Sequence, residues 1–386
     1  MDRRRFIKVL GGGVITAAGV AVGGCATSMP AEAIAPWRGP GPEQDVRRWI
    51  LSYALLAPHS HNLQSWVVDL RTPGEILLRC DLQRLLPETD PYSRQIMMSH
   101  GTFLELLDLA AREQGLRARI SLFPEGEFGP EKLDTRPVAH IQLTPDDALA
   151  PDPLFAQILK RHTNRQAYAL EQAVPGAAWQ AMAQAAAPYP LEFGYVGPGQ
   201  DDALRQHRAI AAEAWRIELT TPRTLMESYR VLRIGAEEIK AHRDGLSVTD
   251  ALPVWMDRLG LLDRSQAPGP DDYATRSQIE TFKQRLASTS AFMWMVSEGN
   301  SRATQVNAGR AYVRVQLAAT RHGLAMQPLQ QALQEFPEMA GPYRDIRQLL
   351  GVPEAPRTIQ MWARVGYAPP VEPAPRRGLD ALIARS

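Results

Sequence analysis

The chain contains the segment GTFLELLDLAAREQGL at residues 101–116 and a related segment, GRAYVRVQLAATRHGL, at residues 309–324. Six positions of the two segments are identical at a constant offset of 208 residues. Both have the apolar spacing of an amphipathic helix, and the glycine near the end of each suits a helix C-cap. We therefore expect two related halves in one polypeptide, each built around one of these helices.

A shorter repeat lies upstream of each helix. Trp49 and the pair Ala57-Pro58 recur as Trp179 and the pair Ala187-Pro188, at an offset of 130 residues. Strand-like runs follow at residues 66–69 and 193–196, and further runs close the halves at 138–143 and 358–362. Each half is thus predicted as helix, strand, helix, strand.

The two offsets differ, which places an insertion in the second half at about residues 200–300. Helical stretches are predicted there at residues 233–243 and 281–294, and Pro268-Gly269-Pro270 interrupts them. Such an insertion could act as a lid over a bound ligand, or it could be a surface decoration that only packs. The sequence leaves both interpretations open.

The overall composition is that of a globular protein. Of the 386 residues, 45% are hydrophobic and 22% charged, and the net charge is +1. Because several basic residues are concentrated at the N-terminus, the remainder is slightly acidic, so we expect no nucleic-acid partner. The two cysteines, Cys25 and Cys80, provide no disulfide framework. His59 and His61 have no second ligand pair nearby, so we expect no metal site.

The N-terminus has the pattern of an export signal. Arg3-Arg4-Arg5-Phe6-Ile7-Lys8 fits the twin-arginine pattern, and an uncharged stretch follows from Val9 to Gly24. Val22-Gly23-Gly24-Cys25 resembles a lipobox, in which the Cys25 thiol would receive a lipid. An uncleaved membrane anchor is the alternative, which the glycines in this stretch disfavour. We predict a signal peptide at residues 1–24 and a periplasmic protein, with the membrane contacted only through lipid on Cys25.

The predicted export route also bears on function. The twin-arginine system moves proteins that are already folded, often with a cofactor inserted, so a tightly held cofactor is expected. Residues 25–44 contain Met29-Pro30 and Gly39-Pro40-Gly41-Pro42, a composition typical of a flexible tether. The first half is then assigned to residues 45–148 and the second, with its helical insertion, to residues 149–386.

Two short segments have unusual chemistry. Residues 57–66, with the sequence APHSHNLQSW, crowd hydroxyl, imidazole and amide side chains into a predicted turn, where they could bond the edge of a polar heterocycle. The alternative is a polar turn that caps itself. Residues 160–165, with the sequence KRHTNR, place Arg161 and Arg165 four positions apart, a spacing that could clamp a phosphate. The alternative there is an exposed basic helix end.

Taken together, these segments resemble two motifs of the FMN-dependent nitroreductases, and most closely the Acg-type FMN-binding oxidoreductases, over residues 45–377. The resemblance implies an α+β fold, a mixed antiparallel sheet flanked by helices, in which two fused nitroreductase-like halves form an intrachain pseudo-dimer. It also implies FMN as the cofactor.

The resemblance further implies a set of cofactor-binding residues. Residues 161–165 are similar to the family's Arg-x-Ser-x-Arg element, which holds the flavin phosphate and ring, and residues 58–66 are similar to the Pro-Ser-x-x-Asn-x-Gln-Pro-Trp element that covers the flavin from the partner subunit. Gly323-Leu324 falls where the family places backbone amides near the flavin N5, and Arg376-Arg377 where an arginine reaches the phosphate. The implied cofactor-binding residues are Arg161, His162, Thr163, Asn164, Arg165, Asn62, Gln64, Gly323, Leu324, Arg376 and Arg377.

The sequence departs from the family pattern in each half. His59 and Ser65 replace the serine and proline of the Asn-x-Gln element, so flavin contacts there are expected to change. The first half offers only Arg47-Arg48 where an Arg-x-Ser-x-Arg element should precede Trp49, and the second has Pro188-Tyr189-Pro190 in place of the Asn-x-Gln element. We therefore expect one composite FMN site per chain and an empty second site.

Three functions are compatible with these features. The first is an FMN-dependent oxidoreductase that passes a hydride or electrons through the flavin N5 to a small-molecule acceptor, with NAD(P)H or another compound as donor; its catalytic side chains are unknown, since the flavin carries the redox chemistry. The second is a flavin-binding or storage protein with little turnover. The third is a lipid-anchored scaffold without a cofactor.

Overall fold

The computed structural model describes residues 28–352 and 355–384. The predicted signal peptide and Cys25 lie outside the described residues, as do residues 353–354 and 385–386.

The first half packs helices against one antiparallel sheet. Its elements are α1 (Ala31–Ile34), α2 (Val46–Ala54), β1 (Trp66–Asp69), β2 (Glu75–Cys80), α3 (Arg94–Glu113), β3 (Leu116–Leu122) and β4 (Ala139–Pro145). The strand order is β1-β2-β4-β3, and all neighbouring strands are antiparallel. Every second residue of β2 is buried, as expected for a strand with one face on the core.

The second half contains the insertion between its first two core strands. The elements are α4 (Gly176–Ala186), β5 (Leu191–Val196), α5 (Asp201–Thr220), α6 (Pro222–Arg230), β6 (Leu232–Ile234), α7 (Gly235–His242), β7 (Leu246–Val248), α8 (Ala251–Arg258), α9 (Tyr273–Ala287), β8 (Ala291–Glu298), α10 (Arg302–Arg321), β9 (Ala325–Pro328), α11 (Ala340–Leu349) and β10 (Arg357–Gly366). The main sheet is antiparallel with the order β5-β8-β10-β9, while β6 and β7 form a small parallel pair. Counted along each half, the two main sheets have the same strand order.

The repeated helices α3 and α10 pack directly against each other through their glycines. A Cβ atom at Gly101 would lie 1.9 Å from the Val306 carbonyl oxygen, and one at Gly309 would lie 1.8 Å from the Met98 carbonyl oxygen. Residues 98 and 306 are separated by the same 208 positions as the two glycines, so the contacts are reciprocal. Only glycine permits this approach of two helix backbones.

A second reciprocal contact lies at the starts of these helices. Buried Arg94 of α3 donates hydrogen bonds to carbonyl oxygens of the second half, at Leu333 (2.7 Å) and Gln360 (3.0 Å). Buried Arg302 of α10, again 208 positions later, donates to Tyr92 (2.6 Å) and Gly129 (3.0 Å) in the first half. One arginine of each half thus donates hydrogen bonds to the backbone of the other half.

The structure confirms the antiparallel α+β fold and corrects three details. Each half has four core strands, two more than predicted. The helix predicted at residues 281–294 ends at Ala287, and residues 291–298 form β8, so the insertion ends before that strand. The cause of this error is that β8 is buried on both faces, and a continuous apolar run of this kind does not distinguish a strand from a buried helix.

The third correction concerns the predicted tether at residues 25–44. Residues 31–38 are helical, and the indole of Trp37 is buried and donates a hydrogen bond to the Ala374 carbonyl oxygen (2.7 Å). The Arg376 amide donates to the Ala33 carbonyl oxygen (2.8 Å). Burial of the large Trp37 ring fixes this segment to the body of the protein despite its proline- and glycine-rich surroundings.

Candidate functional site

The predicted phosphate motif lies in a short extended segment between two parts of the second half. A 3-10 helix at Phe155–Lys160 precedes the motif, and Thr163 forms an isolated bridge with Met326 of β9. The Asn164 amide donates to the Met326 carbonyl oxygen (3.0 Å), and the Asn164 side chain donates to the Pro369 carbonyl oxygen (2.7 Å). These bonds fix the backbone of the motif, and therefore the direction of the neighbouring side chains. Asn164 itself connects the motif to β9 and to the segment that contains Pro369.

Arg161 is buried and incompletely hydrogen-bonded. Its guanidinium donates to the Gln316 side-chain oxygen (3.0 Å) and to the Leu56 carbonyl oxygen (2.9 Å), whereas its Nε has no partner in the structure. Trp37 covers it, with the ring centroid 5.6 Å from the Arg161 Cζ. Burial lowers the pKa of Arg161 to about 10, and no carboxylate offsets this effect.

Further polar atoms around Arg161 are buried without a hydrogen-bond partner among the described residues. They are Gln316 Nε2, Tyr312 Oη and His162 Nδ1. Tyr312 and Gln316 lie one turn apart on α10, so both face the same side of that helix. Since buried polar groups in folded proteins almost always have a hydrogen-bond partner, a cluster of orphaned donors indicates a missing polar ligand.

Arg165, the second motif arginine, is exposed, and its guanidinium forms no hydrogen bond or ion pair with the described residues. His61 lies close enough for the positive charge of Arg165 to contribute to a lower pKa of that imidazole, after the larger effect of burial. Arg161 and Arg165 therefore present unused N–H groups with no carboxylate between them. This donor set fits an anion such as a phosphate.

The second predicted motif forms a strained loop between α2 and β1. His61, Asn62 and Gln64 all have positive φ angles, of 48°, 54° and 53°. Left-handed backbone is costly for residues other than glycine, and such strain is concentrated at functional sites. His59 secures the loop, because its Nδ1 contacts the Ser60 carbonyl oxygen (2.8 Å) and its Nε2 accepts from the Ser65 amide (3.1 Å). Burial lowers the pKa of His59 to about 3, so this imidazole is neutral.

The side chains of Asn62 and Gln64 are used within the protein. Asn62 donates to the carbonyl oxygens of Pro375 (3.1 Å) and Gly245 (3.3 Å), and it accepts from Arg376 (2.8 Å). Gln64 is fully buried, donates to the Arg243 carbonyl oxygen (2.9 Å) and accepts from the Arg377 amide (2.9 Å). In this conformation both residues hold the loop to the C-terminal segment and the insertion. Their role in binding a flavin ring stays a prediction.

The two C-terminal arginines also act within the protein. Arg376 is buried beneath Trp37, and its guanidinium donates to the carbonyl oxygens of Leu55, Leu56 and Ala57 at the end of α2. With the bonds to Asn62 and Pro375, all five of its N–H groups have acceptors. Arg377 donates to the carbonyl oxygens of Gln64 (3.3 Å) and Ala381 (2.9 Å). The charge of Arg376 nevertheless adds to that of Arg161, and burial lowers the pKa of Arg376 to about 9.

Gly323 and Leu324 end α10. Gly323 has a φ of 70°, its amide donates to the Thr320 carbonyl oxygen (3.0 Å), and the Leu324 amide donates to the Ala319 carbonyl oxygen (2.9 Å). The predicted C-cap is confirmed. Both amides donate within the helix cap. In this conformation, neither is therefore free to donate to a flavin N5, the role that the resemblance implied.

The insertion contacts the strained loop directly. Ser228 of α6 lies 3.1 Å from His61 Nε2, and the Gly245 amide donates to the Asn62 carbonyl oxygen (3.1 Å). Gly245 has a φ of 73°, and a Cβ there would lie 2.0 Å from the Val231 carbonyl oxygen. The insertion is therefore fitted to this loop, and its role as a lid stays a prediction.

The corresponding region of the other half is filled by its own side chains. Tyr189 of the Pro188-Tyr189-Pro190 segment donates a hydrogen bond to Glu105, which is 1% exposed. Glu105 accepts from Arg310 and Arg314, each at 2.8 Å. Arg314 also pairs with Asp152 (2.8 Å). No orphaned cation remains among these described residues.

Sequence reasoning missed Trp37, Tyr312 and Gln316. The first lies in the segment predicted as a tether, and the other two lie in α10, for which the sequence predicted only an amphipathic helix. The one available signal was the spacing of Tyr312 and Gln316, which at four positions apart share one side of the helix.

The described ranges contain no group of three or more His, Cys, Asp or Glu residues able to hold a metal ion. Within those same ranges, no helix has both the length and the apolarity needed to cross a membrane.

Comparison with known proteins assigns the family. The model of the nitroreductase family matches residues 158–367. A protein of Mycobacterium tuberculosis strain H37Rv, named as a candidate NAD(P)H nitroreductase, is 30% identical over 353 residues, which cover 89% of this chain and 92% of that protein. The chain therefore belongs to the nitroreductase family of oxidoreductases.

Solved structures are similar at lower identity. The FMN-dependent nitroreductase NfnB of Mycobacterium smegmatis, in complex with NADPH, is 22% identical with a TM-score of 0.36, covering 60% of this chain and 96% of that chain. A protein of Anabaena variabilis described as a candidate nitroreductase is 12% identical with a TM-score of 0.44, covering 88% of this chain and 92% of that chain. Because these scores are low, the family assignment depends on the sequence matches.

Proposed function

We propose that this protein is an FMN-dependent oxidoreductase with one composite flavin site per chain. The observation that carries the proposal is the pair Arg161 and Arg165, whose unused N–H groups face no carboxylate and adjoin the orphaned Tyr312 Oη and Gln316 Nε2. A dianionic phosphate supplies both the missing charge and the missing acceptors. Membership of the nitroreductase family makes FMN the phosphate-bearing cofactor that fits this site.

The residues of the chain then have distinct tasks. Arg161 and Arg165 bind the phosphate, and Arg376 adds positive charge while it holds the C-terminal segment on the end of α2. FMN supplies hydride transfer through its N5 atom. The loop at residues 59–64 and the insertion exclude water from the side of the flavin that they cover. Hydrogen bonds of Asn62, Gln64 and Gly245 join the loop to the insertion.

We further propose that the two halves are fused counterparts of a homodimer's subunits. Support comes from the shared strand order and from the reciprocal contacts of Gly101 with Val306 and of Gly309 with Met98. The counterpart region needs no phosphate, because Glu105 already neutralises Arg310 and Arg314. One flavin per chain follows.

The acceptor is proposed to be a small conjugated or nitro-type molecule, with NAD(P)H as a candidate donor. The name of the M. tuberculosis relative and the NADPH in the NfnB complex support this donor. A flavin-binding protein with little turnover is the second candidate, and the engagement of the insertion with the strained loop favours it. Addition of NADPH to the anaerobic holoprotein separates the two, since bleaching of the flavin spectrum requires an accessible flavin.

The absorption spectrum of the purified protein and the ratio of released FMN to protein test the main proposal. We expect a flavin spectrum and a ratio near one. A ratio near two would contradict the single composite site. A colourless protein that also fails to bind added FMN would contradict the proposal and support the third function, a scaffold without a cofactor.

Export through the twin-arginine route and lipidation of Cys25 are also proposed. They depend on the sequence of residues 1–25. Cell fractionation of a variant with Arg3→Lys and Arg4→Lys tests the route, and we expect folded, flavin-loaded protein in the cytoplasm. Incorporation of a labelled fatty acid into the wild type, with Cys25→Ala as control, tests the lipid.

A further inference from the structure

The proposed site contains more positive charge than a flavin phosphate requires. Five arginines lie in or beside it: Arg161, Arg165, Arg285, Arg364 and Arg376. The charge of Arg161 acts on Arg376, and the charges of Arg285 and Arg165 act on Arg364. The carboxylate that acts on this group is the exposed Asp250 at the start of α8. A dianionic phosphate and one carboxylate leave a positive surplus.

Two of these arginines are used by the fold. Arg376 caps α2, as described above. Arg364 of β10 is fully buried and donates to Gln327 Oε1 (2.7 Å), to the Gln166 carbonyl oxygen (2.8 Å) and to the Arg285 carbonyl oxygen (3.0 Å). Its guanidinium also stacks on Tyr168, 4.0 Å from the ring centroid.

Arg285 differs from them, because its side chain has no hydrogen bond or ion pair within the described part of the chain. It is half-buried in the last turn of α9, and so it belongs to the insertion. Two contacts pin this end of α9 beside the phosphate motif: the Arg364 bond to its backbone, and the bond from the Tyr168 amide to Ser288 Oγ (2.9 Å). The helix dipole favours a positive charge at the C-terminal end of α9. It does not explain why Arg285 lies close to two other arginines, Arg165 and Arg364.

The origin of Arg285 separates it from the phosphate clamp. Arg161 and Arg165 match a dianionic phosphate and belong to one continuous motif. Arg285 comes from the insertion, the part of the chain that also contacts His61 and Asn62 through Ser228 and Gly245. The cation of Arg285 therefore lies on the part of the insertion that adjoins the proposed flavin site.

We propose that Arg285, which adjoins the phosphate clamp, forms a subsite for an anionic group on the acceptor. The preferred acceptors are then small, planar, conjugated molecules that carry a carboxylate. This inference rests on the proposed function, since it assigns the substrate class of the same site. The carboxylate binds the guanidinium in a bidentate, charge-assisted manner, and a neutral isostere cannot do so.

Calorimetric titration of the FMN-loaded protein with 4-nitrobenzoate and with 4-nitrobenzamide tests the proposal. The two probes have nearly the same shape and differ in charge. In Arg285→Ala, we expect the affinity for 4-nitrobenzoate to fall by about tenfold or more, and that for 4-nitrobenzamide to change by less than about twofold. Arg285→Lys should retain part of the preference, because it keeps the charge and loses the bidentate geometry.

Arg276→Ala is the matched control, since Arg276 is an exposed arginine on the same helix. It should leave both affinities unchanged. Equal changes for the two probes in Arg285→Ala, or none, would overturn the subsite. So would a loss of FMN affinity in that variant, because Arg285 would then belong to the phosphate clamp.

A second readout distinguishes this inference from the proposed function. Reoxidation of the photoreduced flavin by 4-nitrobenzoate reports turnover, whereas the titration reports binding alone. Charge-selective binding that depends on Arg285 without any reoxidation would support the subsite and contradict the oxidoreductase. Reoxidation by both probes at rates that are the same in Arg285→Ala would support the oxidoreductase and contradict the subsite.

Discussion

Two groups of arginines, one half-buried and one buried, adjoin the helix α10, and they differ in what neutralises them. Arg310 and Arg314 lie on α10 and share Glu105, with Asp152 as a further partner. Arg161 contacts Gln316 of the same helix, and it faces Arg376 and no carboxylate. We call these the paired group and the unpaired group.

The pKa values of the arginines in the two groups are shifted in opposite directions. In the paired group, the neighbouring carboxylates outweigh burial and raise the pKa of both arginines. In the unpaired group, burial lowers the pKa of Arg161 to about 10 and that of Arg376 to about 9. The paired group stabilises the fold by itself, whereas the unpaired group stores electrostatic cost that an anionic ligand removes.

The largest expected effect comes from breaking the paired group. Glu105→Gln removes the buried shared carboxylate and leaves two half-buried guanidinium groups without it. We expect the free energy of unfolding to fall by about 3–5 kcal/mol, measured by urea denaturation of the FMN-free protein. FMN affinity should be retained by the fraction that stays folded.

Glu113→Gln is the control for that change. Glu113 is exposed at the end of α3 and forms no ion pair with a described residue. Its substitution should alter the free energy of unfolding by no more than about 0.5 kcal/mol. Equal stabilities of the two variants would show that Glu105 does not hold the paired group together.

The phosphate clamp is tested by removing its two cations, Arg161 of the unpaired group and the exposed Arg165. Arg161→Ala and Arg165→Ala should each weaken FMN binding by about 1.5–3 kcal/mol, which is about tenfold to a hundredfold, because each deletes charge-assisted bonds to the phosphate. Titration of FMN into the flavin-free protein, followed by fluorescence quenching, gives the affinities.

Arg47→Ala serves as the matched control for the clamp. Arg47 lies where the first half lacks the motif, and it pairs with Asp45 and with carbonyl oxygens at residues 70, 72 and 75. Its removal should leave FMN affinity unchanged. If wild type, Arg161→Ala and Arg165→Ala bound FMN equally well with unchanged folding, the phosphate assignment would be wrong.

The smallest expected effect concerns the ionisation of His162, whose ring contacts that of Trp37 in a tilted arrangement, with the centroids 4.7 Å apart. Burial, followed by the charges of Arg161 and Arg376, lowers the pKa of His162 to about 4 in the FMN-free protein. Since this value lies below that of the unfolded chain, the folded state favours the neutral imidazole. The resulting stability is present above about pH 6.5 and is lost as the pH falls towards 4.

A bound phosphate should reverse part of this shift. The dianion offsets the two arginines and favours the protonated imidazole, so FMN should raise the pKa of His162 by about one unit. Proton NMR titration, with His162→Gln for assignment, measures it, and the chemical shift of the exposed His242 should not respond to FMN. A pKa unchanged by FMN would place the phosphate away from the unpaired group.

Much of the fold could be predicted because it depends on local patterns. The repeated apolar spacing predicted both α3 and α10, and Gly115 and Gly323 predicted their ends, since left-handed backbone at a helix terminus favours glycine. The strand β8 could not be predicted as a strand, because its burial on both faces comes from the surrounding sheet and helices. Trp37 was overlooked because its burial depends on partners more than a hundred residues away.

The sequence by itself determined the family resemblance, the two halves and the short motif from Arg161 to Arg165. Only the tertiary structure decided which arginines are left without a carboxylate. Glu105 lies 205 residues from Arg310, and Gln316 lies 155 residues from Arg161. Charge compensation is a contact property of the folded chain, so identical side chains in one sequence become a stabilising pair in one place and a candidate ligand site in another.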